Sequence, residues 1–375
     1  MSKTTIAQPI AFDQISNWDK DDLLAAYEAF RISDQSPITR PLDQQNISLF
    51  HSLTKLREKA KDTNLKHHSE ARNFFEMHFN AFQMSRGLES GMITGYFEPV
   101  VKASKIRNLA HSRPLYALPE GHIRLEPNSP DFPPSIPSDF NAANQHLKKQ
   151  VSAYPSREDI NAFDSNPPSW LKPIAFLDPV DAYFIHIQGS ATLELENGDM
   201  LRIAYAGRNG HPYISIGKAI INEGIMKQGE VTYDSLVKWL KDNPNFRDKI
   251  LNQNPSYIFF APSDFQNFTK GPVAAAGVPL TSMRSMAIDR DYYPYHLPIF
   301  VHSEIFDSAE NLVKFEQLMI AQDTGAAIKG MQRGDVFFGR GEKQGILAGK
   351  TQNKARFTLL LPKDISPESL NFTAK

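Results

Sequence analysis

AQDTGAAIKGMQRGDVFFG, residues 321–339, carries two aspartates twelve positions apart, Asp323 and Asp335. The first follows the apolar run 318–321, and the second precedes the apolar run 336–338. Such runs predict strands, and a carboxylate that leads into a buried strand is poorly solvated, which raises its pKa. A raised pKa suits an acid that gives up a proton near neutral pH. Aspartate and glycine also favour turns, so spacing alone leaves a catalytic and a structural reading open.

The overall composition excludes several classes of function. A chain of 375 residues is long enough for two or three domains. Its 41 basic and 42 acidic residues nearly cancel, which argues against nucleic acid as a partner, because such binding relies on net positive charge. The absence of cysteine excludes disulfides, cysteine–zinc sites and thiol nucleophiles.

No sequence signal for membrane insertion or export is visible. No apolar run approaches the roughly 18 residues that a membrane-spanning helix needs. Residues 1–14 lack the apolar core of a secretory signal. These observations leave two expectations open, a cytoplasmic protein or an exported one whose targeting segment is not part of this sequence.

The N-terminal part is predicted to be helical and the remainder mainly β. Amphipathic spacing predicts a helix that begins near Leu23 and two more over 47–60 and 69–83. Residues 92–101 predict a strand interrupted by glycine and ended by proline. The proline-rich segment 104–180 predicts short strands and irregular loops, because proline prevents long helices.

Beyond that segment, apolar alternation and turn signals predict further strands and two helices. An Asn197-Gly198 hairpin turn is predicted between two of the strands. The predicted strands are 183–190, 192–196, 200–205, 257–260, 298–302, 318–322, 335–338 and 356–361. The predicted helices are 215–227 and 233–241.

Carboxylates are better catalytic candidates than a serine nucleophile. A triad of Ser190, His211 and either Asp289 or Asp323 lacks the Gly-x-Ser-x-Gly turn that would support it. Cleavage of a glycoside needs at least one carboxylic acid that protonates the leaving oxygen. A sugar-binding site also needs side chains that form hydrogen bonds with hydroxyl groups and aromatic rings that pack against the sugar. The candidates for these roles are Thr94, Gln188, Ser190, Asn209 and Lys329, with the rings of Tyr96, Phe97, Tyr205 and Tyr213.

Several motifs in this order resemble the membrane-bound lytic murein transglycosylase A family. They are TGYFEP at 94–99, FIHIQGS at 184–190, YAGRNGHPY at 205–213, NPSYIFF at 254–260, GVPL at 277–280 and RSMAID at 284–289, followed by the segment quoted above. The last part also resembles the three-aspartate domain, whose carboxylates fall here on Asp289, Asp323 and Asp335. One departure is Gly325-Ala326, where the family has two glycines.

The resemblance implies a mainly β protein with helices at the N-terminus. Residues 1–102 and 249–375 are expected to form a double-psi β-barrel catalytic domain. Residues 103–248 are expected to form a second, inserted β-rich barrel domain that binds substrate. A wide groove between the two domains is expected to hold a glycan strand.

The resemblance also implies the reaction and the residues that perform it. The family cleaves the bond between N-acetylmuramic acid and N-acetylglucosamine without water and leaves a 1,6-anhydro ring. Asp335 is expected to be the acid and then the base, Asp323 to tune it, and Asp289 to be structural. Substrate contacts are expected from Thr94, Tyr96, Gln188, Ser190 and Lys329. No metal and no cofactor is expected.

The resemblance further implies partners and a location. Peptidoglycan glycan strands are the expected partner, other cell-wall enzymes are candidates, and a monomer is expected. The expected location is the periplasm or cell envelope, with an outer-membrane anchor in the full-length precursor, although this sequence lacks the family's anchoring cysteine. Two alternatives remain, an inverting glycoside hydrolase that uses Asp323 and Asp335, and a non-catalytic glycan-binding protein.

Overall fold

The computed structural model divides the chain into two compact units, which are described separately. Unit 1 comprises Met1–Phe97 and Asn267–Lys375, and unit 2 comprises Glu98–Gln266. The residues that the structure describes are 7–32, 47–84, 91–125, 132–145, 151–263, 270–309 and 311–367.

Strands outnumber helices along the described chain. The strands are β1 (Ala7–Ile10), β2 (Phe79–Met84), β3 (Gly91–Glu98), β4 (Val100–Ala103), β5 (Arg113–Tyr116), β6 (His122–Arg124), β7 (Ala142–Asn144), β8 (Pro173–Leu177), β9 (Ser190–Leu195), β10 (Met200–Arg208), β11 (Ile258–Pro262), β12 (Ser285–Ile288), β13 (Pro298–Phe306), β14 (Leu312–Asp323), β15 (Arg333–Arg340) and β16 (Gln352–Pro362). The helices are α1 (Leu23–Arg31), α2 (Ile47–Lys61), α3 (His68–His78), α4 (Arg157–Ala162), α5 (Pro179–Gln188), α6 (Ile216–Asn222), α7 (Tyr233–Asp242), α8 (Pro244–Leu251) and α9 (Glu342–Lys350).

The expected β-barrel is present in unit 1. Six strands form a closed ring in the order β3, β16, β13, β14, β12 and β15, because β3 pairs with both β15 and β16. β2 adds to β16 outside the ring, and β1 pairs with β2. Closure satisfies the strand edges with hydrogen bonds. The apolar runs of the C-terminal third supply the barrel core, which includes Leu318, Ile320, Val336 and Leu359.

A buried ion pair joins the N-terminal segment to the barrel. The guanidinium of Arg284 donates to both carboxylate oxygens of Asp21, with its Nη2 2.7 Å from Oδ1. Oδ2 of Asp21 also accepts from the backbone N–H of Leu318 on β14, at 2.7 Å. Both side chains are almost completely buried, so neither charge has water as an alternative partner.

Unit 2 also contains a ring of six strands. β11, β10, β9 and β4 form one sheet, and β5 pairs with β8. Single β-bridges join this sheet to the β5–β8 pair at both of its edges. Ser104, after β4, pairs with Phe176 of β8, and Ala117, after β5, pairs with Phe260 of β11. The predicted hairpin turn is confirmed: β9 and β10 are antiparallel neighbours on either side of Asn197-Gly198.

One predicted strand is wrong. Residues 183–190 were expected to be extended, but α5 continues to Gln188 before β9 begins at Ser190. Asp178 caps this helix by accepting from Val180 N–H at 2.9 Å, Pro179 occupies its first turn, and Gly189 ends it with φ of 77°. Because α5 is buried on more than one face, it lacks the periodic pattern that identifies surface helices.

Other element boundaries differ from the prediction for tertiary reasons. The predicted helix 69–83 ends at His78, because the following residues pair as β2 with β16. The predicted strand 92–101 is two strands, β3 and β4, separated at Pro99. Helix 215–227 ends at Asn222. The helices α4, α8 and α9 were not predicted, because they are short and begin near proline or glycine.

We expect Asp21→Asn to lower the free energy of unfolding by about 3–5 kcal/mol, because it leaves the Arg284 charge buried without a counter-charge. Urea and thermal denaturation measure the loss. Asp22→Asn is the matched control, since Asp22 is an exposed helix cap and asparagine caps equally well. Equal destabilisation by the two substitutions would contradict the assigned role of the ion pair.

Candidate active site

The barrel register places Asp323 and Asp335 on either side of one residue. β12 runs parallel to β14 and antiparallel to β15. Ala287 of β12 is the register partner of Asp323 on one side and of Asp335 on the other. Two strand spacings therefore separate the two Cα atoms, roughly 10 Å.

Asp335 is a half-buried carboxyl that contacts a threonine hydroxyl. Thr94 Oγ1 on β3 donates to Asp335 Oδ1 at 2.5 Å. Burial raises the pKa of Asp335 to about 6, while the Thr94 hydrogen bond and the Arg333 charge oppose the rise and the charge of Asp323 adds to it. A group with this pKa is well populated in both protonation states near neutral pH, as an acid–base catalyst requires.

Asp323 has a similar position but more hydrogen-bond donors. Its Oδ2 accepts from the phenol of Tyr96 at 2.8 Å. Its Oδ1 accepts from the backbone N–H groups of Ala275 at 3.1 Å and Thr324 at 2.9 Å. Burial raises the pKa of Asp323, and these three donors oppose the rise by stabilising the ionised form. Three hydrogen bonds therefore hold the Asp323 carboxyl in place.

Tyr96 supports Asp323 from the same strand that carries Thr94. Its ring packs against Phe337, with 5.3 Å between ring centroids. Burial, and then the charge of Asp323, raise its pKa well above the usual value for tyrosine. The phenol consequently keeps its proton and remains a donor. Gly95, between Thr94 and Tyr96, lets β3 pack closely against Phe338 of β15, since a Cβ there would lie 2.5 Å from the Phe338 ring.

Asp289 and Lys329 organise the loop between the two aspartates. Asp289 follows β12, and its Oδ2 accepts from the backbone N–H of Gly330 at 2.8 Å. Lys329 Nζ lies 3.2 Å from Asp289 Oδ1 and 3.3 Å from Asp291 Oδ2. Lys329 thus contacts carboxylates of the protein, although its side chain stays largely exposed.

The predicted contact residues fall into two groups. Thr94, Tyr96 and Lys329 lie in unit 1 with the aspartates. Gln188 and Ser190 lie in unit 2, at the end of α5 and the start of β9.

The disfavoured serine triad gains no support from the described contacts of its histidine. His211, the histidine of the disfavoured triad, uses Nε2 to contact the carbonyl oxygen of Tyr154 at 2.9 Å. Within the part of the chain that the structure describes, no group of three or more histidine, aspartate or glutamate side chains is placed to hold a metal ion.

Arg333 is a site residue that the sequence analysis missed. Its Nη2 donates to Thr94 Oγ1 at 2.8 Å, and its Nη1 donates to the carbonyl oxygen of Gly334. A signal was available, because residues i and i+2 of a strand point to the same face, which puts Arg333 beside Asp335. The contact with Thr94 had no signal, since Thr94 lies 239 positions earlier in the chain.

We expect Asp335→Asn to stabilise the protein above pH 6. The pKa of the folded carboxyl, about 6, exceeds the ordinary 3.8. The folded state therefore binds more protons between these values, and stability falls as pH rises through this window. Asparagine removes that cost, which is at most about 3 kcal/mol.

Melting temperatures from pH 3.5 to 8 test this expectation. The advantage of Asp335→Asn should vanish below about pH 4, where both states bind the proton. Asp289→Asn serves as the contrast and should melt below the parent at pH 7.5, since it weakens the contacts to Gly330 and Lys329. An Asp335→Asn protein that melts below the parent at pH 7.5 would contradict the expectation.

Comparisons with known proteins match both units. The model of the MltA specific insert domain matches residues 92–261, and the model of the 3D domain matches residues 284–361. The membrane-bound lytic murein transglycosylase A of Escherichia coli (strain K12) is 30% identical over 301 residues, which are 78% of this chain and 72% of that protein.

Solved structures share the fold. The crystal structure of the membrane-bound lytic murein transglycosylase from Agrobacterium tumefaciens has a TM-score of 0.81 and 28% identity, covering 95% of this chain and 98% of that one. The structure of E. coli MltA with bound chitohexaose has a TM-score of 0.61 and 23% identity, covering 96% of this chain and 92% of that one, and supports the fold alone.

The expected fold class is confirmed, because the six-stranded ring of unit 1 agrees with the double-psi barrel of these structures. The relatives also imply a location in the cell envelope. The E. coli relative is 30% identical with 72% of its own length covered, and the two family models include every motif that carries the resemblance except GVPL at 277–280. On these grounds the chain belongs to the membrane-bound lytic murein transglycosylase A family.

Proposed function

We propose that this enzyme, a peptidoglycan lytic transglycosylase, uses Asp335 as its single acid and base. The observation that carries the proposal is the contrast between the two aspartates. Asp335 has a pKa raised to about 6, whereas Asp323 is held by three donors. The bond cleaved is the β-1,4 bond from N-acetylmuramic acid to N-acetylglucosamine.

In the first step Asp335 acts as the acid. Its proton passes to the glycosidic oxygen as the bond from that oxygen to C1 of the muramyl residue breaks. Positive charge develops at C1 and its ring oxygen. Asp335 is left as a carboxylate, and the Thr94 hydroxyl at Oδ1 and the nearby Arg333 stabilise this charge.

In the second step Asp335 acts as the base. The carboxylate takes the proton from the 6-hydroxyl of the same muramyl residue, and the 6-oxygen forms a bond to C1. The product is a 1,6-anhydro ring, and Asp335 regains the proton it gave up. The reaction consumes no water.

One carboxyl suffices because the nucleophile belongs to the substrate. An inverting hydrolase needs a second carboxylate to activate water. Here the attack is intramolecular, which removes the entropic cost of bringing a second reactant. Asp323, whose oxygens accept from Tyr96, Ala275 and Thr324, is then free of any proton-transfer task and acts as a neighbouring charge.

The predicted domain roles form part of the proposal. Residues 1–102 and 249–375 would be the catalytic domain, and residues 103–248 the substrate-binding domain. Thr94, Tyr96, Gln188, Ser190 and Lys329 are the proposed substrate contacts, and Asp289 the structural acid. The contact of Lys329 with Asp289 and Asp291 supports a role in shaping the loop beside the substrate.

Peptidoglycan glycan strands are the proposed partner, and the protein is proposed to act as a monomer in the periplasm. The E. coli relative was solved with chitohexaose, a glycan oligomer. None of the helices in the described ranges is long and apolar enough to cross a membrane. An outer-membrane anchor in the full-length precursor and other cell-wall enzymes as partners are further proposals.

We expect Asp335→Asn to lose about 1,000-fold or more in activity, because asparagine cannot transfer the proton. Digests of purified sacculi, analysed by mass spectrometry, measure the loss. The parent protein should release muropeptides with anhydro ends, lighter by one water than hydrolysis products. Glu304→Gln, an exposed carboxyl-to-amide change on β13, is the control and should keep full activity.

Digestion in water enriched in ¹⁸O separates the rival outcomes. Label in the new ends, together with equal losses from Asp323→Asn and Asp335→Asn, would point to a hydrolase and overturn the proposal. Binding of sacculi without any soluble product would point to a non-catalytic protein and would overturn it as well.

We expect the pH profile of kcat/KM to show one descending limb with a pKa near 6. Asp335 must begin protonated, and its pKa is raised to about 6 by burial. Activity should fall about tenfold per pH unit above the limb. Initial rates on soluble glycan oligomers between pH 4 and 8 measure the profile. A bell-shaped profile, with a second limb that ascends at acidic pH, would indicate a separate catalytic base and contradict the single-carboxyl mechanism.

A further inference from the structure

We propose that Arg333 is a positioning residue that acts through Thr94 to fix which oxygen of Asp335 carries the transferable proton. The inference rests on the proposed role of Asp335 as acid and base. It starts from one chain of contacts: Arg333 Nη2 lies 2.8 Å from Thr94 Oγ1, and Thr94 Oγ1 lies 2.5 Å from Asp335 Oδ1.

Donor chemistry sets the direction of this chain. A guanidinium has only donors, so Thr94 must accept from Arg333. The hydroxyl has a single proton, which is then directed away from Arg333 and onto Oδ1 of Asp335. The distance of 2.5 Å suits such an O–H to oxygen contact.

The occupied oxygen determines where the catalytic proton lies. Since Oδ1 already receives the Thr94 proton, the proton that Asp335 transfers is placed on Oδ2. Without Arg333, the Thr94 hydroxyl could rotate and accept a proton from Oδ1 instead. The transferable proton would then be divided between two oxygens, of which the geometry of attack can use one.

The Arg333 guanidinium is held on two sides. Nη2 contacts Thr94, and Nη1 contacts the carbonyl oxygen of Gly334 in the next peptide of the same strand. Its half-buried head therefore lies across the hydroxyl in a fixed orientation. Lysine would carry the charge but not two directed donors at this spacing.

Among the described residues, the groups that act electrostatically on Asp335 lie on three strands. Arg333 is on its own strand β15, Asp323 is on β14, and Tyr96 is on β3. β12 presents the uncharged Ala287. α9 also packs on β15, and its small residues Gly345 and Ala348 lie against β3. Arg333 is thus the cation in this set.

Arg333→Gln is the variant that tests the proposal. Removing the cation should move the descending limb of kcat/KM upward by about one pH unit, since an opposite charge nearby lowers a carboxyl pKa. At pH 5, where Asp335 is protonated in both proteins, kcat should still fall about tenfold while KM changes less than twofold. A fall in kcat with a nearly unchanged KM indicates an effect on proton placement and not on substrate binding.

Thr94→Val and the double variant test whether Arg333 acts through Thr94. The double variant should match Thr94→Val in kcat at pH 5, because the hydroxyl that Arg333 orients is already lost. Its limb should still lie above that of Thr94→Val, because the charge of Arg333 acts on Asp335 directly. Arg333→Lys should restore the limb but recover only part of kcat. Lys354→Gln is the control. It removes an exposed charge from β16, the strand that pairs with β3, and should change neither the limb position nor kcat.

A purely structural role predicts a different pattern. If Arg333 only holds the Gly334 peptide of β15, Arg333→Gln will lower the melting temperature and leave the kcat at pH 5 unchanged, which overturns the proposal. If the losses in kcat at pH 5 of the two single variants add up in the double variant, Arg333 does not act through Thr94, which overturns the proposal. Failure of the underlying function is distinguishable, because an active Asp335→Asn protein would remove the acid–base role itself.

Discussion

Strand β12 is four residues long, and the arrangement of both aspartates depends on its hydrogen bonds. It lies between β14, to which it is parallel, and β15, to which it is antiparallel. A one-residue slip on either side would turn a carboxylate to the opposite face, since side chains alternate along a strand. The slip is opposed by burial of every residue in β12 and by close packing of Met286 over Gly334.

Asp323 and Asp335 differ in their hydrogen-bond partners and not in how deeply they are buried. Asp323 and Asp335 are both half-buried at strand ends, and burial raises the pKa of both. Asp323 receives three donors from the chain, which stabilise its charge. Asp335 is opposed only by Thr94 and Arg333, so its pKa stays near 6. Different hydrogen bonding thus gives two similarly buried carboxyls different electrostatic environments.

Each unit also buries an ion pair whose partners are far apart in sequence. Asp21 and Arg284 are 263 positions apart in unit 1, and Glu98 and Arg202 are 104 positions apart in unit 2. Glu98 and Arg202 are completely buried, and Thr192 adds a hydrogen bond at 3.0 Å. Such pairs lose much when one partner is removed, which restricts how these strands and segments can pair.

The sequence by itself determined five of the six strands of the ring in unit 1, all but β12, the hairpin at Asn197-Gly198 and, through ordered motifs, the family. It also singled out Asp323 and Asp335, which the barrel brings to either side of Ala287. These are local or patterned properties, since alternation, turn residues and motif order are readable along one chain. Only the tertiary structure decided that residues 183–190 begin in a buried helix and that residues 79–84 pair with β16. It alone joined Arg333 to Thr94 and gave Asp323 and Asp335 unequal donors. The physical reason is that such contacts depend on strand register and on residues hundreds of positions apart, which local propensity does not encode.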